Sequence, residues 1–90
     1  MTKFVKNNTP INEEGVVAVW NTDRVYYRYN HALWAAEDYH DYYGSASFCV
    51  MGSHTEMMGE EYDTYYIKIK FYSEADEAEF ILREMQEDGH

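Results

Sequence analysis

The stretch from Thr64 to Asp88 constrains the fold most, because a strand pattern runs directly into a helix pattern with one serine between them. From Tyr65 to Tyr72, residues Tyr65, Ile67, Ile69 and Phe71 fall on one side of an extended chain, and Tyr66, Lys68, Lys70 and Tyr72 on the other. Alternation with period two predicts a half-buried strand. Ser73 ends it and caps a helix, its hydroxyl placed to accept from the Asp76 amide while the Asp76 carboxylate reaches back. In that helix Ala78, Ile81, Leu82 and Met85 recur at helical spacing, with Glu74, Glu77, Glu84 and Asp88 opposite. The expectation is a strand and a helix sharing one core, with an acidic wall facing water.

Upstream, Phe4-Val5 reads as a short extended piece, followed by a loop that carries Pro10 and ends at Gly15. Val16 to Trp20 is β-branched and aromatic and predicts a strand, with turn chemistry at Asn21-Thr22-Asp23. Val25, Tyr27 and Tyr29 then alternate with Arg24, Tyr26 and Arg28, which predicts a second strand closing a hairpin, with Asn30 capping a helix from His31 to Tyr43. Val25, Tyr29, Ala32, Ala36, Tyr39 and Tyr43 also recur at spacings of four and three, which suits one long helix from near Asp23. Either helix stops at Gly44. Ser47 to Met51 predicts a short apolar strand, and Gly52 to Tyr62 a long polar connection containing Met57-Met58 and Glu60-Glu61.

The resulting class is α+β, in the order ββαββα, with a small antiparallel sheet and two helices packed on one face. The long-helix alternative gives βαββα, a ferredoxin-like order lacking its last strand. Residues 1–90 read as one compact domain, with 1–14 partly extended.

A chain of 90 residues with 46% hydrophobic and 18% aromatic content has enough apolar area for one core. Cys49 is the only cysteine, so neither an internal disulfide nor a cysteine-based zinc site is available, and its neighbours Phe48 and Val50 predict a buried, inert thiol. No leader pattern and no run long enough to span a bilayer is present, which reads as cytoplasmic.

Charge is unevenly placed. Of the net −10, residues 1–55 carry −2 (six acids, four bases) and residues 56–90 carry −8 (eleven acids against Lys68, Lys70 and Arg83). Such a field repels nucleic acid and anionic membrane and steers basic surfaces inward.

Motifs for catalysis are sparse. Glu37 and His40 have a Glu-x-x-His spacing, but di-metal bundles need that motif twice on four long helices. His31, His54 and His90 have no ligand spacing with one another, and no serine sits in a nucleophile elbow. The expectation is a protein that is not an enzyme and that carries no cofactor or metal. A small metal-dependent enzyme is the third alternative.

Two constellations remain. If 24–29 is a strand, Arg24, Tyr26 and Arg28 share the outer sheet face with Tyr66, Lys68, Lys70 and Tyr72, a composition on which single-stranded RNA or DNA can stack. The other is the acidic wall. Glutamates one helical turn apart lie about 6 Å apart, close to the phosphate spacing along a DNA strand. Glu74, Asp76, Glu77, Glu79, Glu84, Glu87 and Asp88 form the row, extended by Glu56, Glu60 and Glu61 beside the exposed pair Met57-Met58, with Glu37, Asp38 and Asp41 as a second row.

In size, charge and aromatic content the chain resembles DNA mimics and decoys, many encoded by bacteriophages to block restriction, CRISPR or nucleoid proteins. The resemblance implies a binding protein that occupies the nucleic-acid site of a basic host protein and does not itself bind nucleic acid. A homodimer would lengthen such a mimic.

Overall fold

The computed structural model describes residues 3–8 and 11–84. Pro10, Met85, Glu87, Asp88 and His90 lie outside the described residues. Six elements follow one another: β1 (Phe4–Lys6), β2 (Ala18–Thr22), α1 (Tyr29–Tyr42), β3 (Ser47–Met57), β4 (Glu60–Phe71) and α2 (Glu74–Glu84). The strands make one antiparallel sheet in the order β1-β2-β4-β3. The class is α+β and the order ββαββα, as the sequence predicts. The strand expected at 24–29 is absent, however, and Phe4–Lys6 supplies the other strand of the first pair.

Thr22 explains that difference. The pairing Ala18↔Phe71 through Asn21↔Lys68 would next set the Thr22 backbone against Ile67, but the Thr22 hydroxyl accepts from the Ile67 amide at 3.0 Å in its place. Continuing the same register would put Arg24 opposite Tyr65; instead Tyr26 occupies that position, exchanging backbone hydrogen bonds with Tyr65 at 2.7 and 2.8 Å. Two residues are looped out, as at a bulge, and the chain turns into α1 immediately afterwards. The helix starts at Tyr29 with Arg28 in the cap position and no side-chain cap, so neither Asn30 as cap nor the long helix from Asp23 is formed.

The largest correction concerns 52–62. This segment is no loop: β3 and β4 pair without interruption from Ser47↔Lys70 to Met57↔Glu60, and only Met58 and Gly59 form the turn. Both have positive φ, 54° and 80°, the signature of a type I′ hairpin whose twist matches its strands. Beyond the Tyr26–Tyr65 bridge no third strand pairs with the hairpin among the described residues, and every residue from Gly52 to Asp63 is exposed. It therefore projects as a two-stranded arm. The radius of gyration, 14.2 Å, exceeds the roughly 12 Å expected of a compact chain of this length.

The core lies between the helices and the sheet face carrying Phe4, Ala18, Trp20, Ile67, Ile69 and Phe71. Its centre is Phe80 of α2, fully buried, with ring centroids 4.8 Å from Phe4, 5.0 Å from Phe71, 5.5 Å from Tyr43 and 5.7 Å from Trp20. Burying Phe80 rotates α2 away from the expected orientation. Leu82 is 60% exposed and Ala78 is exposed, whereas Glu77 and Glu84, three residues before and four after Phe80, turn towards the protein. Ser73 caps this helix as expected, although its hydroxyl accepts from the Ala75 amide at 3.2 Å rather than from Asp76. Cys49 is exposed, not buried, because its place in β3 puts it opposite Lys68 on the sheet face away from the helices.

Phe80→Ala removes the ring that four others contact. It should destabilise the domain by about 3–5 kcal/mol in urea unfolding, whereas Leu82→Ala should cost under about 1 kcal/mol. Equal losses would contradict this orientation of α2.

Candidate functional site

The residues expected to form one acidic row are divided between two ends of the molecule. Glu56, Met57, Met58, Glu60 and Glu61 lie at the tip of the β3–β4 arm, and α2 begins just after Phe71 at the other end of β4. Twelve strand residues separate the ends by roughly 36 Å, so the tip does not extend the α2 row.

On α2 the row is itself broken up. Glu77 accepts from the indole N–H of Trp20 at 2.8 Å and pairs with Lys6 at 3.2 Å, with most of its side chain buried. It holds β1, β2 and α2 together instead of facing water. Glu79 pairs with Arg83 at 2.7 Å in an i, i+4 geometry, and Glu84 lies against Tyr43. Glu74 is exposed and Asp76 half-buried.

The arm presents two different faces. Strand alternation puts His54, Glu56, Glu61 and Asp63 on the side where the helices lie, with His54 2.9 Å from Asp63 and 3.8 Å from Glu61. On the opposite side are Thr55, Met57, Tyr62 and Thr64, which with Val25 and Tyr27 from the looped-out segment line a groove of about 470 Å³. Glu60 also lies on that side, accepting from the Tyr62 hydroxyl; this bond holds the Tyr62 pKa above its ordinary value. Met58 crowns the tip, 96% exposed, in a left-handed backbone conformation that Asn or Gly adopts more easily. From Gly52 to Tyr66 there is no lysine or arginine.

The expected stacking platform on the sheet is not assembled. Tyr26 packs on the helix side, against the core, and carries the Arg24 guanidinium over its ring at 4.9 Å. Tyr66, Lys68 and Lys70 do share the outer face, but Ile11, Asn12 and Glu13 lie over Val19 and the lysines, and Glu13 pairs with Lys70 at 2.7 Å. That pair lowers the Glu13 pKa and raises the Lys70 pKa.

Sequence reasoning missed a second cavity, of about 300 Å³, between the end of α1 and α2, lined by Asp38, Tyr39, Tyr42, Tyr43, Arg83 and Glu84. The tyrosines were legible only as helix-core residues. Burial, reinforced by the Glu84 carboxylate, raises the pKa of both Tyr39 and Tyr43. The Tyr43 hydroxyl is shielded from solvent and meets no partner in full hydrogen-bond geometry, although the Glu84 carboxylate lies near enough to hold its proton more tightly. Among the described residues no group of three or more His, Cys, Asp or Glu side chains is arranged to hold a metal ion, and no helix is long and apolar enough to cross a membrane.

The architecture so defined is a small α+β domain with a projecting hairpin arm. No family model, characterised protein or solved structure matches the chain.

Two outcomes follow from these contacts. Glu77→Ala strands the Trp20 indole and should cost about 1–3 kcal/mol, while Glu77→Gln, which keeps an acceptor, should cost clearly less; equal costs would remove the Trp20 bond as the cause. Tyr39 and Tyr43 stay neutral in the fold at pH values where unfolded tyrosine ionises, so their contribution is complete below about pH 10 and lost as pH rises above it. Urea midpoints taken from pH 8 to 11 should therefore fall, and fall less steeply in Tyr43→Phe.

Proposed function

We propose that this chain is a cytoplasmic, non-enzymatic binding protein that inserts the tip of its β3–β4 arm into a basic, nucleic-acid-binding site of a partner protein, acting as a decoy for the nucleic acid. The observation that carries this reading is Met58, a flexible apolar side chain at 96% exposure in a left-handed turn position. A hairpin shaped by stability alone favours Asn-Gly there. Departures from local preference without structural gain concentrate at functional positions.

The chemistry around the tip suits a basic site. Glu56, Glu60, Glu61 and Asp63 bring four carboxylates, with His54 as the only ionisable base in the sequence from Gly52 to Tyr66. Met57, Met58, Tyr62 and Tyr27 supply apolar area that desolvates on contact. The remaining charge, including Glu74 and Glu79 of α2 and Glu37, Asp38 and Asp41 of α1, contributes the long-range field of a −10 chain that speeds encounter at low salt. Carboxylates of the arm thus set register, and those of the helices steer.

Replacing Met58 by Asn separates folding from binding. Met58→Asn should raise the unfolding midpoint, since Asn tolerates positive φ, yet weaken capture of the partner by about tenfold or more. Glu56→Lys combined with Glu61→Lys should abolish capture without unfolding. The assay is retention of a nucleic-acid-binding protein from nuclease-treated bacterial lysate, with competition by added DNA and reversal by salt. Unchanged capture by both variants, or direct binding of DNA or RNA by the native chain, would overturn the reading; in the second case Tyr66 and Lys68 on the outer sheet face become the surface to test.

A further inference from the structure

We infer that the cavity between α1 and α2 is a binding site for an organic cation, an alkylammonium or guanidinium group. It stands apart from the arm, at the end of the sheet where Phe71 and Phe80 pack, and does not depend on the function proposed for the tip.

Its walls are of two kinds. Tyr39, Tyr42 and Tyr43 occupy i, i+3 and i+4 positions and so project from one side of α1, giving aromatic surface to the cavity. Asp38 and Glu84 bring a carboxylate from each helix. Aromatic faces combined with carboxylates are the surroundings in which alkylammonium and guanidinium groups are held, through the ring quadrupole and through charge. A guanidinium already uses part of this wall: Arg83 lies over the Tyr42 ring at 5.0 Å. Its charge is also engaged by Glu79 at 2.7 Å, outside the cavity lining.

The second observation is Tyr43. The residue is only 7% exposed, yet its hydroxyl oxygen meets no partner in full hydrogen-bond geometry. Buried polar atoms without partners are rare and costly, and they mark places where a group is missing. A ligand that only donates hydrogen bonds satisfies this oxygen and both carboxylates together. An anion would meet two like charges, and a purely apolar guest would leave the hydroxyl and carboxylates unmet. A volume of about 300 Å³ takes one such head group with a short stem.

Two sources carry this chemistry: a free amine or guanidine, and a lysine or arginine side chain on another protein. Titration of the ¹⁵N- and ¹³C-labelled full chain with agmatine, at constant ionic strength, should give saturable shifts at Tyr39, Tyr42 and Tyr43. Neopentylammonium should do the same, and its neutral counterpart neopentyl alcohol should not. Glu84→Gln and Asp38→Asn should each weaken agmatine by about tenfold. Tyr43→Phe, whose folding the same spectra report, should weaken it several-fold.

A short arginine-bearing peptide, compared with the same peptide carrying citrulline, separates the sources. If the arginine peptide binds about tenfold tighter than agmatine, the site takes a protein side chain; if it binds no tighter, the site takes a free cation. Shifts that grow linearly without saturating, that neopentyl alcohol reproduces, or that survive Glu84→Gln and Asp38→Asn unchanged would overturn the inference.

Discussion

The position of the Phe80 ring decides most of this structure. Its four aromatic neighbours come from β1, β2, β4 and the residue that ends α1, so one side chain ties every layer together at the Phe71 end of the sheet. Edge-to-face contacts at these separations favour fixed ring orientations over a loose apolar filling. Once Phe80 is seated, the azimuth of α2 is set, Glu77 is brought under the Trp20 indole, and Glu84 is brought beside Tyr43. Two carboxylates that helical periodicity assigns to water thereby become parts of the protein's interior boundary.

The other end of the sheet obeys a different constraint. The ladder of β2 on β4 stops where the Thr22 hydroxyl takes the Ile67 amide, and α1 leaves the sheet soon after the single Tyr26 bridge. Nothing among the described residues then covers the last third of the β3–β4 hairpin. A two-stranded ribbon in water is marginally stable alone, so this arm depends on the anchored half of the same strands, where Ile67 and Ile69 are fully buried. The arm is the part of the fold with least packing to lose, and so the part most free to carry side chains chosen for contact.

How far the sequence foretold this can be argued from particular residues. The period-two run from Tyr65 to Phe71 was legible because one face is apolar throughout, and the ββαββα order follows from it and the Gly44 stop. The face of α2 was misread because four smaller apolar residues at helical spacing outweighed one phenylalanine, although the ring buries the larger area. The arm was illegible by composition: Gly52 to Asp63 is polar and acidic, and its turn lacks Asn-Gly, so only the alternation Thr55, Met57 against Tyr62, Thr64 signalled pairing. Tyr26 could not be placed without knowing that a side chain, not a backbone group, ends its ladder. Of the candidate site, the tip residues were named individually, but their separation from α2 is a property of strand length across the sheet, which no local pattern encodes.

That separation also bears on what an acidic surface means here. Had the carboxylates formed one continuous row, a solubilising surface and a nucleic-acid mimic would have been hard to distinguish, since both need only exposed charge. Instead Glu77 is spent on Trp20 and Lys6, Glu79 on Arg83 and Glu13 on Lys70. Ordinary ion pairing therefore accounts for much of the helical and loop charge. On the arm the pairing is thinner, one histidine lying beside Asp63 and Glu61 and the Tyr62 hydroxyl donating to Glu60. Carboxylates flank methionines, the arm's own sequence supplies no base but a histidine, and the turn keeps a side chain that costs about 1 kcal/mol in backbone strain against Asn or Gly. Charge alone would make the tip soluble; charge together with exposed, strained apolar contact area is what an interface requires.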